Sequence, residues 1–168
     1  MTQKLEVPHA GDLMNRKVHT VTPEMSLEEL IDFMLKHKIS NTPVVEKRDS
    51  KTYLVGFISE ADALEHLSNE MFYSVRAPQH TVETCMKRHP MAITEDVDVF
   101  AIASLLVAHG YRHVPVVDEN NQLLGVVSRR DVLKPMQEFY AEAIKQHDAK
   151  YHPPDVKKIM NHRFIVSR

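Results

Sequence analysis

The hydrophobic positions of this chain alternate between helical spacing and short apolar runs. After Pro23 an apolar residue recurs at every third or fourth position, at Leu27, Leu30, Ile31, Met34 and Leu35. This spacing predicts an amphipathic helix. Ser26 and Glu29 have the spacing of a capping box at its start. The apolar runs TPVV and YLVGFIS follow, and the polar turn between them predicts a β-hairpin.

The same order of elements occurs twice. Residues 12–46 align without gaps on residues 84–118, so that Met86 stands 72 positions after Met14. The offset falls to 69 from Gly56 and Gly125 onward, because the second hairpin turn is three residues shorter. Insertions of this kind belong in loops. The chain is therefore an internal repeat of one small unit.

Each copy predicts a short strand, a helix, two strands and a second helix. The first strands are expected at Val18–Thr22 and Met91–Thr94, and the second helices from Glu60 and Arg129. The second copy's first helix should end at Gly110 in a left-handed C-cap. Neither small sheet could bury both of its faces alone. The fold class is therefore α/β, with two pseudo-twofold related β-α-β-β-α units packed sheet to sheet.

The expected division of the chain has four parts. The first unit is placed at 8–68, a connector at 69–79, the second unit at 80–136 and a helical tail at 137–168. The tail should break at two consecutive prolines, Pro153 and Pro154.

Composition narrows the range of partners. The net charge of −2 gives no overall basic field, which makes nucleic acid an unlikely partner. The sequence contains neither a signal-peptide pattern nor a long apolar run, so we expect a cytoplasmic protein without a membrane span. The single cysteine, Cys85, fits a packing position on a helix face. The 11 histidines are scattered through the sequence, and no metal site is expected.

Two copies of one motif are the strongest candidates for chemistry. GFISEAD contains Ser59 and Asp62, and GVVSRRD contains Ser128 and Asp131, each at the junction of a strand and a helix. Ser and Asp at this spacing could simply cap the helix. The same hydroxyl, carboxylate and free backbone N–H groups could instead hold a phosphorylated sugar. The residues alone leave both interpretations open.

The repeated order of DLM, a Thr-containing strand, an apolar helix, PVV, a hairpin and GhhSxxD resembles the cystathionine β-synthase (CBS) domain. Two such units in tandem resemble a Bateman module, over about Asp12 to Met136. The resemblance implies two clefts that bind adenosine-containing ligands. It also implies that Asp62 and Asp131 contact ribose hydroxyls, with Ser59 and Ser128 near phosphate.

Further site residues follow from the same resemblance. Arg112 and His113 precede Pro115, where the family tends to place basic residues that face phosphate. Thr22 and Thr94 match positions near the adenine. Arg130 could clamp phosphate or lie in solvent. Arg112 and His113 could instead be a solvated pair at the start of a strand. We assign both, together with Arg130 where it clamps phosphate, to the cleft of Asp131, which should therefore bind more tightly than the cleft of Asp62.

The expected function is regulatory rather than enzymatic. No catalytic triad or Gly-rich phosphate loop is present, so no catalytic residue is assigned and no catalytic cofactor is expected. An adenine nucleotide of the AMP, ADP or ATP type is the expected regulatory ligand. A homodimer and an unidentified target protein are the expected partners. The alternatives are a structural or dimerisation module with empty clefts, and a binder of S-adenosylmethionine or nucleic acid.

Overall fold

Two antiparallel hairpins form the centre of the structure, a computed structural model that describes residues 6–73 and 80–147. The elements of the first copy are α1 (Ala10–Leu13), α2 (Leu27–His37), β1 (Asn41–Arg48), β2 (Lys51–Ser59) and α3 (Glu60–Tyr73). Those of the second copy are α4 (Val82–Cys85), β3 (Lys87–Arg88), α5 (Val99–Ala108), β4 (His113–Val117), β5 (Leu123–Ser128) and α6 (Arg129–His147). The mixed α/β fold predicted from the repeat is confirmed.

The predicted helix boundaries are confirmed at the capping residues. Helix α2 begins after Ser26, whose hydroxyl accepts a hydrogen bond from the amide of Glu29, while the Glu29 carboxylate accepts one from Ser26. Gly110, just beyond α5, has the left-handed φ of +68° that a glycine adopts without strain. Lys38, at the equivalent position after α2, adopts a left-handed φ of +53°.

The expected first strands are wrong in extent, because each is reduced to a single parallel bridge. Val21 pairs with Val44, and Ile93 pairs with Val116. A longer ladder would need an amide at Pro43, and proline has none. The carbonyl of His19 instead accepts a hydrogen bond from the buried hydroxyl of Thr42, at 2.7 Å.

The two copies are related by a pseudo-twofold axis. Tyr53 of β2 forms a bridge with Gln122 beside β5, and these two residues occupy equivalent positions in the repeat. The bridge between Ser26 and Thr81 is likewise the counterpart of the bridge between His9 and Asp98. The two sheets therefore meet across this axis, as the repeat predicted.

Each sheet is completed by a segment of the other copy. Phe57 of β2 pairs with Lys87 of β3, and the equivalent pair is Val126 with Asn15. The sulfur of Met86 covers Gly56, and that of Met14 covers Gly125. A Cβ at Gly125 would lie 2.8 Å from the backbone carbonyl oxygen of Asn15, so this close approach requires glycine, whereas at Gly56 the nearest atoms belong to the side chain of Met86.

The two hydrophobic cores show the same exchange. Ala10 and Met14, from the first copy, are buried with Ile102 and Val114 of the second copy. Val82 and Cys85, from the second copy, are buried in the other core, which includes Leu30 and Ile58. The repeat units of the sequence are therefore not the packing units of the structure.

The last helix runs across the expected boundary between the second unit and the tail. Helix α6 continues across positions 136 and 137 and contains Pro135. Residues 74–79 of the connector and 148–168 of the tail lie outside the described residues, as do Pro153 and Pro154. Within the described part of the chain, every helix is too short or too polar to span a bilayer.

Candidate functional site

Both Ser-x-x-Asp motifs form capping boxes. The backbone amide of Ser59 donates to Oδ2 of Asp62 at 2.8 Å, and the amide of Asp62 lies 3.3 Å from the hydroxyl of Ser59. Ser128 and Asp131 make the same pair of bonds, at 2.7 and 3.3 Å. The capping interpretation is thus confirmed for both helices. It uses one carboxylate oxygen of each aspartate and leaves the other, Oδ1, for a further contact.

The first cleft, which contains Asp62, has a volume of about 600 Å³. Its polar wall consists of Ser40, Asn41, Ser59, Glu60, Asp62, Lys87, Arg88, His89, Arg112 and His113. Its less polar wall includes Phe57, Pro90, Met91 and Tyr111. Oδ1 of Asp62 lies 3.7 Å from the ammonium of Lys87, and the aspartate side chain is only 14% exposed. A part-buried carboxylate therefore stands beside a cation that belongs to the other copy.

The second cleft, which contains Asp131, is smaller, with a volume of about 350 Å³. It is lined by Asn15, Lys17, Val18, His19, Lys38, Ile39, Ser40, Asn41, Pro43, His113, Val126, Ser128 and Asp131. Each of these residues is the repeat equivalent of a residue in the first cleft. The two clefts are therefore equivalent sites related by the pseudo-twofold axis.

The sequence-based assignment of Arg112 to the cleft of Asp131 is wrong. Arg112 lines the cleft of Asp62, and its Nη1 atom lies 4.0 Å from the carboxylate of Glu60. The reason is the exchange of segments between the copies, which brings the motif helix of one copy to face the loops of the other. The cleft of Asp131 was expected to bind more tightly because of Arg112, and it does not contain that residue.

The other predicted site residues fall into three groups. Ser59 and Asp62 line the first cleft, Ser128 and Asp131 line the second, and His113 lines both. Thr22, Thr94 and Arg130 line neither cleft and are exposed. The hydroxyl of Thr94 donates to the carboxylate of Asp96, just ahead of α5.

Sequence reasoning missed several cations in the clefts. Lys87, Arg88 and His89 line the first cleft, and Lys17 and Lys38 line the second. The available signal was the basic run MKRHPM, which aligns with MNRKVH in the first copy. Its importance becomes visible only when the run is known to face the motif of the other copy.

The two clefts have the same excess of lysine and arginine over carboxylate residues, but they differ in which of these residues they contain. The first contains Lys87, Arg88 and Arg112 against two carboxylates, and the second contains Lys17 and Lys38 against the carboxylate of Asp131. Each cleft therefore has one lysine or arginine more than it has carboxylates. Among the residues that the structure describes, only the first cleft contains arginine, whose planar fork of donors matches a phosphate.

Comparison with known proteins supports the same architecture. The profile of the CBS domain matches residues 10–69 and 82–138. An uncharacterised 17.7 kDa protein of Acidianus ambivalens is 29% identical over 130 residues, which cover 77% of this chain and 74% of that protein.

Two solved structures are also similar. The structure of CBSX2, from Arabidopsis thaliana, in complex with AMP has a TM-score of 0.67 and 25% identity, and the match covers 79% of this chain and 98% of that one. The cytosolic domain of the Mg²⁺ channel MgtE in complex with ATP has a TM-score of 0.62 and 26% identity, over 76% of this chain and 48% of that one. With two matched CBS domains and this fold, the chain belongs to the CBS domain family and carries a tandem CBS pair, or Bateman module.

Proposed function

We propose that this CBS pair is a regulatory module that binds an adenine nucleotide, of the AMP, ADP or ATP type, mainly in the first cleft. The observation that carries the proposal is the grouping of Asp62 with Lys87, Arg88 and Arg112 around one space of about 600 Å³. Pockets of this size hold small ligands in other proteins. A carboxylate beside several cations suits a ligand that has both hydroxyls and phosphates.

The proposed roles follow from the chemistry of each wall. Oδ1 of Asp62 accepts hydrogen bonds from the ribose hydroxyls, since its Oδ2 is held by the cap. Arg88 and Arg112 donate to phosphate oxygens. The apolar wall with Phe57 and Tyr111 gives the adenine a surface to pack against. The N-terminus of α3 adds a favourable dipole for the phosphate.

The similar structures add support at the level of ligand class. The structure of CBSX2 contains AMP, and that of the MgtE cytosolic domain contains ATP. Both are adenine nucleotides, and both proteins share the paired CBS fold.

Regulation is proposed because the ligand would contact both copies at once. Asp62 lies in the first turn of α3 of the first copy, whereas Lys87 and Arg112 belong to the second copy. A nucleotide between them would hold the two copies in one arrangement, and a target protein could respond to that arrangement. We propose no catalytic step.

A thermal-shift panel tests this function. AMP, ADP, ATP, GTP, S-adenosylmethionine and 2′-deoxy-ATP are each added at millimolar concentration to the full chain. A ligand at about a hundred times its Kd stabilises the folded state by about 2.7 kcal/mol, which is readily measured. We expect at least one adenine ribonucleotide to raise the Tm more than GTP or 2′-deoxy-ATP does.

The competing function is a structural module whose clefts bind nothing. The confirmed capping boxes favour it, because capping alone explains the presence of Ser59 and Asp62. If no compound in the panel changes the Tm, this second function replaces the first. A response only to S-adenosylmethionine would also overturn the nucleotide proposal.

A further inference from the structure

We infer that His66, His80 and Cys85 form a binding site for a transition metal ion such as Zn²⁺. These residues come from α3, from the residue before Thr81 and from the end of α4. One ligand atom from each lies within 4.8 Å of the other two. Imidazole nitrogen and thiolate sulfur are ligands that zinc prefers.

The ring of His66 is fixed by a hydrogen bond at one of its two nitrogens. Its Nδ1 atom lies 2.9 Å from the backbone carbonyl oxygen of Asp62, one helical turn earlier. Since a carbonyl oxygen only accepts, Nδ1 donates the proton, and the lone pair of the neutral ring lies on Nε2. Metal-binding histidines are commonly fixed by such a bond on the other ring nitrogen.

Together with His66, His80 and Cys85 would supply three of the four ligands of a tetrahedral zinc ion. The rings of His66 and His80 lie 5.2 Å apart and nearly perpendicular. Zinc bonds of 2.0–2.3 Å place tetrahedral ligands about 3.4–3.8 Å apart, so contraction of the trio by about 1 Å would suffice. Cys85 is buried, whereas both histidines are partly exposed, which leaves an approach for the ion and a position for a water ligand.

The equivalent positions in the other half show that the shared fold does not require these donors. They are occupied by Pro8, Leu13 and Pro135, none of which has a side chain able to bind zinc. The cluster therefore belongs to one half of the structure only. It departs from the sequence-based expectation of no metal site, which could not foresee the contact between α3 and α4.

A metal at this place would connect the two copies of the repeat. Helix α3 belongs to the first copy and α4 to the second, so the ion would link elements that are otherwise held by packing. An ion that binds only the folded state stabilises it. The inference does not depend on nucleotide binding.

The test is a titration of the full chain with Co²⁺, a spectroscopic substitute for Zn²⁺, followed by calorimetry with Zn²⁺. We expect a thiolate-to-cobalt charge-transfer absorption, which requires a Cys ligand. Because the thiol of Cys85 gives its proton to the buffer when the metal–sulfur bond forms, the measured heat should vary with the ionisation enthalpy of the buffer.

Two variants and one control make the assignment specific. His66→Gln should weaken Zn²⁺ binding about tenfold or more, and Cys85→Ala should abolish the charge-transfer absorption. His109→Gln replaces an exposed histidine outside the cluster and should leave both unchanged. Circular dichroism of each variant separates loss of metal from loss of fold.

The opposite results would overturn the inference. It is wrong if the wild-type chain gives no charge-transfer band, or if the band survives in Cys85→Ala. It is equally wrong if His66→Gln binds Zn²⁺ as tightly as the wild type does. Should Cys85→Ala fail to fold, His66→Gln still decides the matter, because His66 is a partly exposed helix residue.

Discussion

Asn41 and His113 occupy equivalent positions in the two copies, and their side chains meet near the pseudo-twofold axis, with Nδ2 of Asn41 2.8 Å from Nδ1 of His113. The amide nitrogen donates, so Nδ1 must be unprotonated, and the contact favours a neutral imidazole. Burial is the main cause that lowers the pKa of His113. The charge of Asp131 raises this pKa, and the charge of Arg112 lowers it further. His113 also lines both clefts.

This lowered pKa predicts a pH-dependent stability. Between the folded and unfolded pKa values of His113, the unfolded chain binds more protons than the folded chain. The free energy of unfolding should therefore be fully retained above about pH 6.5 and fall as the pH drops below it. Urea unfolding of the wild type and His113→Gln at about pH 7.5, 6.5 and 5.5 measures the effect.

The quantity to compare is the loss of unfolding free energy between about pH 7.5 and 5.5, in the wild type and in His113→Gln. The pKa of His37 is also lowered, mainly by burial and then by His19, and its contribution is present in both. We expect the variant to lose less stability than the wild type over this range. Parallel pH profiles would show that His113 titrates as it does in the unfolded chain.

The composition of the clefts predicts which aspartate matters more for ligand binding. Asp62→Asn should weaken the tighter nucleotide site about tenfold or more, because it removes the charged acceptor in the first cleft. Asp131→Asn is the matched control, since it alters an equivalent cap in the smaller cleft. Calorimetric titration with the nucleotide selected by the thermal-shift panel measures both affinities.

Stability measurements separate binding from capping. The two caps have the same hydrogen bonds, so loss of the charged cap should lower the free energy of unfolding by a similar small amount in both variants. Asp62→Asn also loses the contact with Lys87, which adds little because Lys87 is exposed. Nucleotide affinities in both variants equal to that of the wild type would return both aspartates to a capping role. A larger loss in Asp131→Asn would make the second cleft the principal site.

The sequence predicted the local elements well because their determinants are local. The capping boxes, the hairpins and the left-handed Gly110 each depend on residues a few positions apart. The first strands were overestimated, because an apolar run does not reveal that Pro43 interrupts the partner ladder. The repeat alignment therefore gave the two long helices and the hairpin of each copy, predicted one excess strand in each, and missed the short elements α1, α4 and β3.

The contents of the clefts could not be predicted in the same way. The alignment shows which residues are equivalent, but not whether a motif faces its own copy or the other one. That choice depends on the exchange in which Lys87 joins β2 and Asn15 joins β5. Only the three-dimensional structure shows that Asp62 contacts Lys87 and that Arg112 lines the same cleft as Asp62.

One buried polar contact predicts a specific loss of stability. Thr42 is fully buried, and its hydroxyl donates to the carbonyl of His19 at 2.7 Å. Thr42→Val keeps the shape but removes this donor, which should cost about 1 kcal/mol or somewhat more. The equivalent residue, Val114, is naturally valine, so Val114→Ala reports loss of packing alone and should leave the His19 segment unaffected.

Chemical denaturation of Thr42→Val provides the measurement. Since His19 lines the second cleft, amide hydrogen exchange near it should also increase in this variant. Unchanged stability would mean that water replaces the hydroxyl at the His19 carbonyl.

The exposed faces of the second helices predict a homodimer. Leu64 on α3 and Leu133 on α6 are equivalent residues, and they are 59% and 70% exposed. Phe72 and Tyr140 extend the apolar surface of the same two helices. On α5, Val107 is also exposed, whereas Leu106 belongs to the core.

A twofold dimer is the commonest closed assembly, and a surface with apolar residues at equivalent places on both halves suits it. Light scattering at tens of micromolar should therefore give about twice the chain mass of 19.3 kDa. Leu64→Asp and Leu133→Asp should each shift the chain toward the monomer, because a buried unpaired charge opposes association. Leu35→Asp, at a 72% exposed leucine on α2, should leave the mass unchanged. A wild-type monomer at this concentration, or equal effects of all three substitutions, would contradict an interface on α3 and α6.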